Sequence, residues 1–159
     1  MKMKKHLWGT YGTWVLFTEA VGGLAGWLTR EGTKLYTESI VQPPLSPPAI
    51  VFPIVWAVLY ALMGVSAARI RIAPPSGDRR LGLRLFAGQL AFNFFWSIIF
   101  FDLQWFGFAL VWLVALWALI AAMVLVFYRV ELLAARLQLP YLVWVAFAGY
   151  LNAGVWLLN

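Results

Sequence analysis

The chain contains no cysteine, one histidine and few charges: 11% of its 159 residues, against 64% hydrophobic ones. Without cysteine there are no disulfides, no thiolate metal sites and no thiol nucleophiles. The single histidine, His6, stands at the N-terminal edge of an apolar run with nothing beside it to build a metal site or a triad, and a place at headgroup level suits it better. A soluble domain of this size would carry about 25% charged residues. The shortage therefore points to an integral membrane protein. The net charge of +6 does not argue for nucleic acid, because the basic residues fall between apolar runs and form no stripe along a helix. No phosphate-binding glycine loop is present.

What is plentiful is apolar sequence in lengths near the twenty residues that cross a bilayer. Such runs occur at about 7–28, 48–68, 81–101, 105–128 and 139–158, which predicts an all-α membrane protein, one domain built as a five-transmembrane-helix bundle. The first run is too long for a signal-peptide core, contains Glu19 and lacks a small-residue cleavage site. Its segment Gly22-Gly23-Leu24-Ala25-Gly26 offers a small face for close helix approach, inside the monomer or between two copies. Lys2, Lys4, Lys5, Arg69, Arg71, Arg79, Arg80, Arg84, Arg129 and Arg136 all fall on one side of this plan. The other side has Arg30 and Lys34, balanced by Glu31 and Glu38. The positive-inside rule then places the N-terminus in the cytoplasm and the C-terminus opposite. Trp8, Trp27, Trp105 and Trp156, near predicted helix ends, read as interfacial anchors; Trp112 and Trp117 face either lipid or core.

The connection over 29–47 is the longest, and long ordered loops tend to be lids. Pro43, Pro44, Pro47 and Pro48 make Val41–Ser46 a stiff extended segment, with Pro47 or Pro48 opening the next helix and Pro53 a turn further in. On that helix Trp56 and Tyr60 share a face. On the third, Gln89, Asn93 and Trp96 do so, and on the fifth Tyr141, Trp144, Ala148 and Asn152. Amides avoid lipid, so these must bond other helices or a ligand. The repeated pattern of aromatics beside small and polar groups predicts a shared cavity for a flat, apolar ligand. Glu19 lies mid-helix with no obvious partner, and Asp102 ends the third helix.

At these residues the sequence resembles the TspO/MBR family, the tryptophan-rich sensory proteins and mitochondrial translocator proteins (peripheral benzodiazepine receptors). The matching stretches are Pro47-Pro48 with Phe52-Pro53-Ile-Val-Trp56-Ala-Val-Leu-Tyr60-Ala-Leu-Met-Gly64, then Gln89 through Asn93 to Trp96, and Pro140-Tyr141-Leu-Val-Trp144 with Leu151-Asn152. The resemblance implies a five-helix bundle, commonly a homodimer, that binds porphyrins such as protoporphyrin IX without requiring a cofactor or metal. It implies a pocket lined by Trp56, Tyr60, Gln89, Asn93, Trp96, Trp144, Ala148 and Asn152 and closed by Pro47 and Tyr36. It also links Trp56 and Trp144 to light-dependent porphyrin breakdown, so that stress sensing or tetrapyrrole homeostasis, porphyrin transport and photo-oxidative degradation are the functions in view. The lid departs from the family pattern. Gln42-Pro43-Pro44-Leu45-Ser46 stands where a lysine and an aromatic are usual, which weakens the expected hold on an anionic ligand. Tyr150 is followed by no Lys or Arg, so the cholesterol motif is incomplete.

Overall fold

A computed structural model describes residues 2–159, with side chains from residue 7 onward; the side chain of His6 lies outside the described residues. Among the described residues there are helices and no strands. The order is α1 (Lys2–Leu28), α2 (Arg30–Ser39), α3 (Val51–Ile72), α4 (Gly77–Ser97) continued by a π-helical turn (Ile98–Asp102), α5 (Phe106–Val130), α6 (Leu132–Leu137) and α7 (Leu139–Leu158). Four helical stretches, Val51–Ile72, Gly77–Asp102, Phe106–Val130 and Leu132–Leu158, are long and apolar enough to cross a membrane. The first predicted span is a helix as expected, but α1 is not among these four.

The helix ends follow local chemistry. Ser76 caps α4 by accepting the Arg79 N–H at 3.0 Å, with Asp78 in the first turn. Val51 rather than Pro47 or Pro48 opens α3, after a turn in which the Val51 N–H bonds the Pro48 carbonyl at 2.9 Å. Pro53 then falls in the first turn, where an intrahelical donor is not required. The expected lid loop over 29–47 is in part a helix, α2. It follows α1 almost without a break because the Thr33 N–H bonds the Thr29 carbonyl at 2.8 Å. Only Ile40–Ile50 keeps the irregular path that the prolines impose, with Leu45 at φ 67 in a turn.

The bundle is joined pairwise, α1 along α3, α4 along α5 and α5 along α7. Close approach of α1 to α3 depends on Gly64, where a Cβ would stand 2.5 Å from the Val15 Cα. There the Thr18 hydroxyl donates to the Tyr60 carbonyl at 2.7 Å. Trp112 belongs to the packed side: its indole N–H donates to the Phe92 carbonyl at 2.8 Å, and its ring stacks on Phe92 at 4.4 Å. Trp117 is largely exposed and donates to the Leu142 carbonyl. Trp8, Trp27, Trp105 and Trp156 are exposed near helix ends.

At the opposite end from α2, Arg69 of α3 forms a two-pronged pair with Glu131, at 2.8 and 2.9 Å. Glu131 also caps α6 by accepting from the Leu133 and Ala134 N–H groups. The Arg69 guanidinium, with help from these backbone donors, holds the Glu131 carboxyl at about 2, below its ordinary 4.5. A carboxyl depressed on folding stabilises the fold above its unfolded pKa, and that contribution is lost as pH falls through the folded one. The apparent unfolding temperature in detergent is therefore expected to drop between about pH 4.5 and 2. A Glu131→Gln variant should lack that component, and identical pH profiles for the two would refute it.

Candidate functional site

Between α1, α2, α3, the end of α4 and α7 lies a cavity of about 790 Å³. That size is within the range of pockets that enclose a drug-sized or larger flat ligand. Trp56, Tyr60, Asn93, Trp96, Trp144, Ala148 and Asn152 line it from the helices, and Tyr36 and Pro47 from the lid. Gln89 does not reach the cavity. It is fully buried one turn beneath Asn93, where the Tyr141 hydroxyl bonds both side chains.

Four side chains from three helices form one hydrogen-bonded chain under the cavity. The Tyr60 hydroxyl donates to Asn93 Oδ1 at 3.1 Å, Asn93 Nδ2 donates to the Tyr141 hydroxyl at 2.7 Å, and that hydroxyl donates to Gln89 Oε1 at 2.7 Å. Tyr60, Asn93 and Tyr141 thus satisfy one another across three helices, while Gln89, bonded through Oε1, keeps a buried Nε2 without a partner among the described residues. Nearer the mouth, the Trp96 indole N–H donates to Asn152 Oδ1 at 3.2 Å, and Asn152 Nδ2 donates to the Phe106 carbonyl at 2.8 Å. Each predicted amide is therefore an interhelical tie, and Asn93 and Asn152 are cavity wall as well.

The aromatic wall is built of three groups of rings. Trp56 lies against Tyr60 at 5.7 Å and edge-on to Tyr141 at 6.3 Å, while Phe52 meets Trp144 edge-on at 6.0 Å. Trp96 stacks on Phe100 at 5.1 Å, and Tyr36 of the lid touches both Phe100 and Phe101 at 5.5 Å. Burial pushes the Tyr36 hydroxyl above its ordinary pKa, so it sits under the lid as a neutral group. The glycine run of α1 serves this cavity. Gly22 lies so close on the Tyr60 ring that a Cβ would overlap it, whereas Gly23 and Gly26 line open space.

The lid is seated at both ends. Gly32 of α2 rests on the Phe101 carbonyl and Asp102, and Gly154 of α7 admits the Pro43 ring. Tyr150 donates to the Pro44 carbonyl at 2.8 Å, and the Asn159 side chain pairs with both backbone groups of Val41. Sequence reasoning missed three contributors. Arg30, at the start of α2, lines the cavity, with its guanidinium over the Trp27 ring at 4.9 Å. Phe100 and Phe101 were hidden because a π turn, not an α turn, aims them inward.

The TspO/MBR family model matches residues 14–157. The chain belongs to the TspO/MBR family. Curated relatives agree with the family model. The chain is 37% identical to Protein CrtK of Rhodobacter capsulatus over 141 residues, covering 88% of this chain and 87% of that one. It is 38% identical to Tryptophan-rich protein TspO of Chlorobaculum tepidum, covering 88% and 89%. It is 36% identical to the Translocator protein of Bos taurus, covering 86% and 83%. The TspO/MBR match spans all the elements that build the cavity, from α1 to α7. With several helices apolar enough to span, the chain is a multi-pass integral membrane protein of that family.

Proposed function

We propose that this protein binds porphyrins of the protoporphyrin IX kind, and other flat apolar ligands, in the lidded cavity, and acts as a stress sensor or in tetrapyrrole homeostasis. The observation that carries this reading is that Trp56, Tyr60, Trp96 and Trp144, from three helices, line one cavity of about 790 Å³. Stacked aromatic faces recognise a flat π system and ask little of its polar groups. Arg30 at the rim is available to a ligand carboxylate, which offsets the lysine missing from the lid.

In this reading α1 is the fifth span. At 27 residues it is about 40 Å long, sufficient for a bilayer. Its threonines lower its apolar character, but Thr13 donates to the Gly9 carbonyl of its own helix and Thr18 to the Tyr60 carbonyl of α3. The N-terminus and ten of the twelve basic residues then lie in the cytoplasm, the lid with Arg30 and Lys34 faces the opposite side, and two copies pair as a homodimer. A second reading, light-dependent porphyrin breakdown, is favoured by one observation: Trp56 and Trp144, both oxidisable indoles, line the cavity. Transport is less favoured, since the floor of the cavity is tied across three helices by the Tyr60, Asn93 and Tyr141 bonds.

Tryptophan quenching by protoporphyrin IX, titrated in the dark, is expected to saturate at micromolar concentration. Trp144→Ala should weaken it about tenfold, the loss of one stacking partner and its contact area. Absence of saturable quenching would defeat the porphyrin assignment. New absorbance bands that form only under light, and vanish in Trp56→Phe and Trp144→Phe with binding retained, would establish the second reading.

A further inference from the structure

The cavity has ends of unlike charge, and a porphyrin bound through aromatic stacking and Arg30 uses only one of them. Among the described residues two charged side chains line it, Glu19 and Arg30. Glu19 marks the deep end: its neighbour Thr18 bonds the Tyr60 carbonyl, and Gly22, one turn on, rests on the Tyr60 ring. Arg30 marks the mouth, eleven residues later, roughly 16 Å away at the rise of a helix.

The two differ in what surrounds them. Arg30 donates to the Trp27 carbonyl at 2.8 Å, lies over the Trp27 ring and is 3.6 Å from Glu31. Glu19 is half-buried, and among the described residues no hydrogen bond or ion pair reaches its carboxylate. A carboxylate set against apolar walls without a partner is costly, and a group kept there at that cost is a functional one by default. The Tyr60 and Trp56 rings line the same cavity, and aromatic faces favour a cation.

We infer that Glu19 sets the ligand specificity of the cavity by taking the protonated nitrogen of a flat aromatic ligand at its deep end. The inference rests on the cavity being the ligand site, as proposed above, but not on the ligand being a porphyrin. The carboxylate accepts the N–H of the ligand, the adjoining rings cover the delocalised charge, and Arg30 at the mouth repels a second cation, which fixes one orientation. A zwitterionic ligand would lie with its acid outward.

The test uses 9-aminoacridine as a flat cationic probe and protoporphyrin IX as a flat acidic one, each titrated against the full chain in neutral detergent. Glu19→Gln keeps the shape and removes the charge; Glu19→Met is measured beside it in case the first variant does not fold. The expected result is saturable 9-aminoacridine binding that Trp56→Ala and both Glu19 variants weaken by about tenfold or more, the worth of a charge-assisted hydrogen bond. Protoporphyrin IX binding should change by less than about twofold in the Glu19 variants, since its acids meet the other end. If protoporphyrin IX binds and 9-aminoacridine does not, the inference is overturned and the porphyrin reading stands. Equal weakening of both probes by the Glu19 variants also overturns it, because Glu19 would then act on the fold. Binding of 9-aminoacridine alone, lost in the Glu19 variants, supports it and removes the porphyrin reading; binding of neither probe removes both.

Discussion

Asn93→Leu is expected to destabilise the bundle by about 2 kcal/mol and to raise the protoporphyrin IX dissociation constant tenfold or more. Leucine keeps the branched outline of asparagine but is bulkier, so Asn93→Asp, which keeps the size, is measured beside it to separate the hydrogen bonds from the space. Tyr60 would lose the acceptor of its hydroxyl and Tyr141 the donor that reaches it, while Tyr141 would keep its own bond to Gln89. A buried group left without its partner costs about 1–3 kcal/mol. Interhelical bonds in membranes measure at the lower end, because the unfolded chain finds partners too. Two orphaned groups at that level give the figure above. Binding should suffer because a Tyr60 hydroxyl without Asn93 turns into the cavity for another acceptor and takes its ring off Trp56. Unfolding by graded SDS and porphyrin quenching measure the two effects. If neither moves, the chain under the cavity contributes nothing and the account of its floor is wrong. If stability falls and binding does not, the chain is structural only.

Gly64→Ala should reverse the usual sign of its substitution. In an exposed helix interior, glycine to alanine gains about 0.5–1 kcal/mol from helix propensity. Gly88, on α4, has open space around it and should show that gain. At Gly64 the added methyl meets the Val15 backbone and the Thr18 hydroxyl, neither of which can swing away. Helix α1 must move off α3, and the Thr18 bond to the Tyr60 carbonyl stretches. Overpacking of this kind costs about 1–3 kcal/mol, and the lost bond adds about 1. The pair, compared in one denaturation series, separates packing from propensity. A Gly64→Ala protein as stable as Gly88→Ala would mean that α1 is only loosely held. That result would also weaken the cavity, one wall of which is α1.

Much of this was legible in the sequence because membrane helices announce themselves by length and polarity, and because amides inside them have few options. Asn93, Asn152 and Trp96 were placed on inward faces by spacing alone, and the structure joins them across helices. Gln89 shared the face of Asn93 but not its depth. Helical periodicity reports direction around the axis and says nothing of how far along it a cavity extends. Helix α2 was hidden by its charges, which read as loop in a membrane protein; Glu31, Lys34 and Glu38 form the outer side of an amphipathic lid helix whose other side buries Tyr36. The pairing of Arg69 with Glu131 was out of reach for another reason: 62 residues separate the partners, and only the packing of α3 on α6 brings them together.

The π turn at Ile98–Asp102 gives α4 a change of phase. Up to Trp96 the helix keeps α periodicity. Beyond Ser97 the Leu103 N–H reaches back to the Ile98 carbonyl at 3.0 Å, and the extra residue per turn delays the rotation. In an α-helix, adjacent residues point about 100° apart; here Phe100 and Phe101 both touch Tyr36, and the Phe101 carbonyl supports Gly32. The lid is thus registered against a single inserted residue in a different helix. Removing any one residue of Ile98–Asp102 would wind the turn back to α geometry and rotate one phenylalanine away from Tyr36. The lid would come out of register with the bundle while every residue of the lid itself remained unchanged.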